Sequence, residues 1–277
     1  MSLTPHTVAG QAGLAEILTD PLTALVAFDY DGTLAPIVAD PTRAVPHVDV
    51  VPALGRLAEV VGHVAIVTGR PADGAVGLAG LDTVPGLERL VVLGHYGLQR
   101  WEASTGTVQS GAETGDVDAV RARLPAVLES LALADAEVED KGLSVAVHVR
   151  RMPEPDRAFD VLAAPLADLA AEHGLTTEPG RRVIELRPAG MDKGLALRGL
   201  ADEVDARAVM FTGDDLGDLA AFAEVERRRA TGGAGLLVCS GSAEVSELAE
   251  RADIVVDGPA GVAQMVDALV ELLTTPH

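Results

Sequence analysis

The segment that says most about the fold is Leu22-Thr23-Ala24-Leu25-Val26-Ala27-Phe28, which runs directly into Asp29-Tyr30-Asp31-Gly32. It is short, almost wholly apolar and rich in strand-forming residues. Such a run is typical of a strand that is buried on both faces of a parallel sheet. We therefore predict a buried strand whose C-terminal end carries the carboxylates of Asp29 and Asp31.

Similar apolar segments recur on both sides of a central stretch of different character. Apolar strands that alternate with helices indicate a Rossmann-like α/β fold with a parallel sheet. The predicted strands are 63–67, 90–93, 208–211, 236–239 and 253–256, and the predicted helices are 49–62, a segment after Pro71, 192–203, 215–225, 243–250 and 261–273.

The central stretch follows another pattern. Residues 104–116 are polar and glycine-rich, which predicts a linker. Beyond the linker, apolar residues alternate with other residues at 143–150 and 182–187, as in half-exposed antiparallel strands, and helices are predicted at 117–133 and 155–172. We interpret the chain as an α/β core interrupted by an inserted α+β domain. The predicted boundaries are 1–108 and 188–277 for the core and 109–187 for the insertion.

The composition excludes several classes of protein. The chain has 277 residues, of which 48% are hydrophobic, so it can build a sizeable core. Its 42 acidic residues outnumber 21 basic ones, giving a net charge of −21. This charge argues against binding to nucleic acid or to an anionic membrane, which depends on Lys and Arg. We expect a small-molecule partner and a monomeric chain.

The sequence also bears on the cellular compartment. Cys239 is the single cysteine, so no internal disulfide can form. The first 20 residues lack the basic and apolar regions of a secretion signal, and no run of about 18 uncharged apolar residues could span a membrane. We expect the reducing environment of the cytoplasm.

Polar side chains follow the predicted strands where the carboxyl ends of a parallel sheet bind ligands. They are Asp29, Asp31, Thr68, Arg70, Asp214, Asp215 and, one helical turn on, Asp218; Lys193 begins the helix after the insertion. Carboxylates gathered at one edge repel one another and require a cation, and oxygen ligands favour Mg²⁺. The simplest chemistry for this set is phosphoryl transfer, with Asp29 as nucleophile and Asp31 as general acid and base.

Each of these motifs has an ordinary structural explanation when it is considered alone. Asp31-Gly32 is a common turn, and Asp214-Asp215 could cap a helix. Lys193 could be plain surface charge. The joint occurrence of the motifs, in this order and at strand ends, is what favours a site.

These motifs resemble the four core motifs of the haloacid dehalogenase superfamily. They are Asp29-Tyr30-Asp31-Gly32-Thr33, Thr68-Gly69-Arg70, Lys193 and Gly213-Asp214-Asp215-x-x-Asp218. The resemblance implies that Asp29 is the nucleophile and Asp31 the acid and base, and that Thr68, Gly69, Arg70 and Lys193 bind the phosphoryl group. It also implies that Asp29, the main-chain carbonyl of Asp31, and Asp214 bind Mg²⁺, with Asp215 and Asp218 holding the metal's waters and Lys193.

The inserted domain lies where this superfamily has a cap domain of the C2 type, which recognises the substrate. Its segments Val138–Arg150 and Val183–Pro188 resemble the cap signature of the trehalose-6-phosphate phosphatases. That resemblance implies a Mg²⁺-dependent phosphatase that converts trehalose 6-phosphate to trehalose and phosphate through an aspartyl-phosphate. Sugar hydroxyls are then expected at Glu139, Lys141, Glu185, His95 and Tyr96. Without the resemblance, a surface cluster of ion pairs is the favoured explanation of Glu139, Lys141 and Glu185.

Several positions depart from the usual pattern of that family. Tyr96 stands where the family has a histidine, Val149 where it has a tyrosine, and Gly217 and Leu219 where it has Thr and Glu. The departures leave the predicted catalytic groups in place but leave the substrate open. The alternatives are another phosphorylated disaccharide, pseudo-disaccharide or sugar phosphate and, in a different class, a catalytically silent sugar-phosphate sensor.

Overall fold

The computed structural model of the chain describes residues 3–38, 40–111, 116–180, 182–241 and 246–275. The helices are α1 Val8–Thr19, α2 Val50–Val60, α3 Ala72–Ala79, α4 Val117–Ser130, α5 Pro155–Glu172, α6 Lys193–Glu203, α7 Leu219–Ala230, α8 Ser246–Arg251 and α9 Gly258–Thr274. The strands are β1 Ala24–Phe28, β2 His63–Val67, β3 Val91–Gly94, β4 Gln99–Glu102, β5 Thr107–Ser110, β6 Glu137–Asp140, β7 Val145–His148, β8 Leu175–Gly180, β9 Val183–Pro188, β10 Ala208–Gly213, β11 Ala234–Gly241 and β12 Ile254–Asp257.

The chain divides into two compact units. One consists of Met1–Ser110 with Asp192–His277, and the other of Gly111–Met191. The domain boundaries given above, at residues 108 and 188, stay a prediction. No helix in the described part of the chain combines the length and the apolar character needed to cross a bilayer.

The larger unit contains an eight-stranded sheet in the order β12-β11-β10-β1-β2-β3-β4-β5. Its first six strands are parallel, and β4 and β5 continue it as antiparallel strands. All five residues of β1 are buried: Val26 and Phe28 join the core on one face, and Leu25 and Ala27 join the core on the other. The predicted parallel α/β fold and its buried first strand are thus confirmed.

The predicted linker at 104–116 is wrong in part, because Thr107–Ser110 is strand β5, which pairs with β4. Every residue of β5 is exposed. An edge strand with solvated faces has no apolar run by which the sequence could reveal it. Residues 112–115 of that linker, and 243–245 of the predicted helix 243–250, lie outside the described residues.

The smaller unit is a four-stranded antiparallel sheet in the order β6-β7-β9-β8, with α4 and α5 packed on one face. Val145, Val147, Ile184 and Leu186 point into that packed core. The predicted α+β character is confirmed. The prediction that β7 is half exposed is wrong, because Ala146 on its other face is also fully buried. Ala146 is small and lies between the longer side chains of its cross-strand neighbours Glu139 and Glu185.

Candidate active site

Asp29 lies at the carboxyl edge of the large sheet, where β1 ends beside β10. Its N–H donates to the carbonyl of Thr212, 2.8 Å away, which continues the β1–β10 pairing by one residue. Its side chain is buried. The order β10-β1-β2 places the residues that follow these three strands next to one another, although they are far apart in sequence.

Lys193 binds Asp29 directly. It is the first residue of α6, a helix capped by the Asp192 side chain, which accepts from the N–H of Leu195 at 2.7 Å. Its Nζ donates to Asp29 Oδ1 at 2.6 Å and to Asp218 Oδ1 at 2.7 Å. Burial lowers the pKa of Lys193, but the carboxylates of Asp218 and Asp29 outweigh burial and hold that pKa well above its ordinary value. Lys193 is therefore a fixed positive charge.

Three buried carboxylates, those of Asp29, Asp214 and Asp218, lie close enough to hold a metal ion. One oxygen from each falls within 4.8 Å of the others. Burial, followed by repulsion from Asp218 and Asp215, raises the pKa of Asp214 to about 8. Burial also raises the pKa of Asp29 well above its usual range, against the opposing effect of Lys193.

A hard divalent cation fits this cluster. Within the described residues, the buried oxygen Oδ1 of Asp214 has no hydrogen-bond partner. A buried acceptor without a donor is costly, and crowded carboxylates become stable when a cation neutralises them. An all-oxygen donor set of this kind suits Mg²⁺.

Two glycines allow these carboxylates to approach the main chain. Gly32 has φ +78°, and a Cβ at that position would lie 1.9 Å from Asp214 Oδ2. A Cβ on Gly213 would lie 2.4 Å from Asp218 Cγ. Asp218 Oδ2 accepts from the N–H groups of Asp214 at 2.9 Å and Asp215 at 3.2 Å. The backbone thus positions the acids as much as the side chains do.

Asp215 and Asp31, two of the predicted metal-site residues, turn their side chains to other partners. Asp215 is exposed and accepts from the N–H of Gly217 at 2.9 Å, capping the short 3-10 turn Leu216–Asp218. Asp31 forms a bidentate ion pair with Arg70: Nε donates to Oδ2 at 2.7 Å and Nη2 to Oδ1 at 2.6 Å. The predicted role of Asp31 at the metal concerned its main-chain carbonyl, so the ion pair leaves that prediction standing.

The other predicted site residues of the larger unit lie in the segments that follow strands β2 and β3. The buried Thr68 accepts from the Arg70 N–H at its Oγ1 and from the Tyr96 N–H at its carbonyl. His95 and Tyr96 both have positive φ, 46° and 55°, which is unusual for residues other than glycine. A Cβ on Gly69 would meet the Tyr96 hydroxyl at 2.6 Å. This strained turn therefore brings the Tyr96 hydroxyl against Gly69.

The smaller unit gathers the other three predicted residues on the sheet face opposite its helices. Glu139 of β6 and Glu185 of β9 both pair with Ala146 of β7. Lys141 Nζ donates to Glu185 Oε2 at 3.0 Å. Although Glu185 is buried, Lys141 and the hydroxyl of Ser144 hold the pKa of its carboxyl below the usual value.

Three residues that the sequence prediction missed contact these groups. Ser144 Oγ donates to Glu185 Oε1 at 2.6 Å, and His148 Nε2 lies 2.8 Å from Glu139 Oε2. In the other unit, Ser240 Oγ donates to the carbonyl of Gly32 at 2.8 Å. Ser144 and His148 could have been found from the strand register, since they share a face with Lys141 and Glu139. Nothing in the sequence near Ser240 indicates its contact with Gly32.

The chain is similar in sequence to a known family of phosphatases. Residues 27–255 match the trehalose-phosphatase family. The chain is 32% identical over 270 residues to the trehalose-phosphate phosphatase of Mycobacterium marinum, an alignment that covers 95% of this chain and 65% of that protein. The chain thus spans somewhat less than two thirds of the length of that relative.

Solved structures share the fold. The C-terminal domain of the Candida albicans trehalose-6-phosphate phosphatase has a TM-score of 0.74 at 20% identity, covering 97% of this chain and 98% of that one. A haloacid dehalogenase-like hydrolase from Bacteroides thetaiotaomicron has a TM-score of 0.62 at 16% identity, covering 88% and 98%. With a haloacid dehalogenase-like fold and a family match over most of its length, the chain belongs to the trehalose-phosphatase family.

Proposed function

We propose that this protein is a Mg²⁺-dependent phosphatase that hydrolyses trehalose 6-phosphate to trehalose and phosphate. The observation that carries the proposal is the buried contact of Lys193 with Asp29 and Asp218, beside the unpartnered oxygen of Asp214. A fixed ammonium next to a nucleophilic carboxylate can bind the phosphoryl group of a monoester. The family match and the relatives named as trehalose-phosphate phosphatases support trehalose 6-phosphate as the proposed substrate.

In this proposal Asp29 is the nucleophile. One of its carboxylate oxygens forms a bond to phosphorus as the bond from phosphorus to the sugar oxygen breaks. The departing oxygen takes a proton from Asp31, which releases the sugar and leaves an aspartyl-phosphate. Asp31 then takes a proton from water, whose oxygen attacks phosphorus. As that bond forms, the bond between phosphorus and the Asp29 oxygen breaks, so that phosphate is released and the Asp29 carboxylate is regenerated.

Mg²⁺ would be held by Asp29 and Asp214, with Asp218 beside them. When bound, it would neutralise the carboxylates and the negative charge on the phosphoryl oxygens. Lys193 contributes a second positive charge at Asp29, and the buried Thr68 provides a hydroxyl at the end of the neighbouring strand. Burial of Asp29 and Lys193 limits the water that competes for these groups.

In the smaller unit, Glu139, Lys141 and Glu185 are proposed to bind the hydroxyls of the sugar. Carboxylates accept hydrogen bonds from hydroxyls, and an ammonium donates to them. The three side chains lie on one face of the sheet, and Lys141 contacts Glu185. The shared face supports a role for these side chains in binding a sugar, whereas the ion pair of Lys141 with Glu185 is expected of a cluster of ion pairs as well. The predicted cytoplasmic location and monomeric state are retained as part of the proposal.

A panel of sugar phosphates tests the proposal. Phosphate release in the presence of Mg²⁺ should be fastest from trehalose 6-phosphate, well ahead of glucose 6-phosphate and sucrose 6-phosphate. Asp29→Asn should remove essentially all turnover while circular dichroism shows an unchanged fold, and Asp267→Asn, at an exposed acid paired with Arg56, is the matched control.

Other outcomes of the panel would redirect the proposal. If another disaccharide phosphate is cleaved fastest, the substrate is wrong and the chemistry stands; the Tyr96 hydroxyl against Gly69 is the feature that favours this alternative. Tight binding of a sugar phosphate without turnover would instead indicate a sensor.

A further inference from the structure

Arg70 was expected to bind the phosphoryl group, but the structure places its guanidinium on Asp31. Nε and Nη2 each donate to a different oxygen of that carboxylate. A bidentate pair of this kind fixes both the direction and the plane of a carboxylate, which a single hydrogen bond does not. Arg70 therefore determines how Asp31 faces the site.

Of the two partners, Arg70 is the better anchored. Its Nη1 donates to the carbonyl of Pro41 at 2.9 Å, and the guanidinium carbon lies 5.2 Å from the centre of the Tyr30 ring. Tyr30 is fully buried and donates its own hydroxyl to the carbonyl of Ala44 at 3.0 Å. The Arg70 side chain is 16% exposed, compared with 37% for that of Asp31. A guanidinium that is held by the Pro41 carbonyl and the Tyr30 ring orients the more accessible carboxylate that it binds.

We propose that Arg70 is a positioning residue that acts on the reaction through the Asp31 carboxylate and does not act on the phosphoryl group. This inference rests on the proposed function, in which Asp31 exchanges the protons. As the bond from phosphorus to the leaving oxygen breaks, its electron pair goes to that oxygen, which takes the proton of Asp31. The carboxylate so formed is the partner that the Arg70 fork binds with two hydrogen bonds.

Arg70→Lys and Arg70→Met test the inference through the dependence of rate on the leaving group. The substrates are p-nitrophenyl phosphate, whose leaving group departs without a proton, and phenyl phosphate, whose leaving group needs one. The quantity compared is kcat/KM, because it reports the steps up to departure of the phenol. Arg43→Met is the matched control, since Arg43 is an exposed arginine on the neighbouring 3-10 turn Pro41–Arg43.

Arg70→Met should lower kcat/KM for phenyl phosphate about tenfold more than for p-nitrophenyl phosphate. Arg70→Lys has one ammonium in place of the guanidinium. The difference between its kcat/KM losses for the two substrates should lie between those of Arg70→Met and the wild type. In an Asp31→Asn background, the further effect of Arg70→Met should be less than about twofold, since the group through which it acts is gone. Arg43→Met should leave both rates unchanged.

The contrary results can be told apart. Arg70→Met could instead lower kcat/KM equally for both substrates, and by the same factor in the Asp31→Asn background. Arg70 would then act on the phosphoryl group or on the fold, and the inference would be overturned. If the wild-type chain cleaves no phosphate monoester, the proposed function fails and takes the inference with it. An active wild type with equal losses would overturn the inference alone.

Discussion

Lys141 and Lys193 are the two lysines among the 21 basic residues of the chain, and both contact carboxylates of the candidate sites. Elsewhere the chain uses arginine. An ammonium is compact and donates in any direction, whereas a guanidinium is larger, planar and forked. At Lys193 the space is limited, because the side chain is buried between Asp29 and Asp218.

Replacing these lysines with arginine should therefore reduce activity although the charge is kept. We expect Lys193→Arg to lower kcat on the preferred sugar phosphate at least about a hundredfold, because a misplaced phosphate-binding cation removes stabilisation of the transition state. Lys141→Arg should mainly raise KM. Arg198→Lys, at a half-exposed position on the same helix as Lys193 where the side chain pairs with Glu224, is the control and should keep the wild-type rate. Wild-type kinetics in both lysine variants would show that charge alone suffices at these positions.

At the same scale, the sequence indicates which polar residues come together better than it indicates the individual contacts that they make. Asp29, Asp214 and Lys193 were predicted from their places at strand and helix ends, and the structure brings them together. The Arg70–Asp31 pair could not be foreseen, because it depends on the adjacency of β1 and β2 and on the direction of two side chains. The cap formed by Asp215 was anticipated only as one alternative for an acid at a helix start.

At the scale of elements, the turn after β1 is the tightest part of the site. The chain reverses at Gly32, whose N–H donates to the carbonyl of Ala35 at 2.7 Å, and Ser240 holds its carbonyl from β11. Positive φ and the nearby Asp214 carboxylate together require glycine here. The strand, the turn and the neighbouring strand thus form one packed arrangement around the carboxylates.

Gly32→Ala should therefore damage both stability and activity. The new methyl group must displace the Asp214 carboxylate, and we expect a loss of roughly 1–3 kcal/mol in the free energy of unfolding, together with a large drop in kcat. Gly77→Ala is a matched control with the opposite expected sign. Gly77 lies inside α3 with open space around it, so alanine should stabilise by about 0.5–1 kcal/mol. Urea unfolding of the two variants measures both effects; equal stability would refute the steric argument.

The strands of the chain differ in how well they can be predicted from the sequence. Strands β1, β2, β3, β10 and β11 are buried apolar runs and were predicted close to their observed bounds. Strands β4, β5 and β8 were missed because their residues are mainly polar or exposed. Such strands form because a neighbouring strand offers them hydrogen bonds, which is a property of the tertiary fold.

At the scale of the whole molecule, the net charge of −21 opposes an anionic substrate. The phosphate group of the substrate must therefore be attracted by nearby positive charges, those of Lys193 and of the cation proposed for the carboxylate cluster. The same cluster lowers the stability of the folded chain without a cation, because burial and mutual repulsion disfavour the charged carboxylates and raise the pKa of both Asp29 and Asp214. Cation binding should consequently stabilise the folded chain.

Adding Mg²⁺ to the chelator-treated protein should raise its melting temperature by several degrees. At a free concentration a hundred times Kd, binding to the native state alone contributes about 2.7 kcal/mol. Asp214→Asn should largely abolish the shift, and Asp267→Asn should keep it, since Asp267 is an exposed acid away from the cluster. Equal shifts in the wild type and in Asp214→Asn would place the binding of Mg²⁺ elsewhere.

Transfer of the phosphoryl group to Asp29 is the central claim, and chemical trapping tests it most directly. The protein is mixed with trehalose 6-phosphate carrying a radioactive phosphate and Mg²⁺, quenched in acid within one turnover, digested and mapped. The account predicts label on the peptide that contains Asp29, and none in Asp29→Asn. Turnover with the label on another residue, or with no labelled peptide at any quench time, would contradict it.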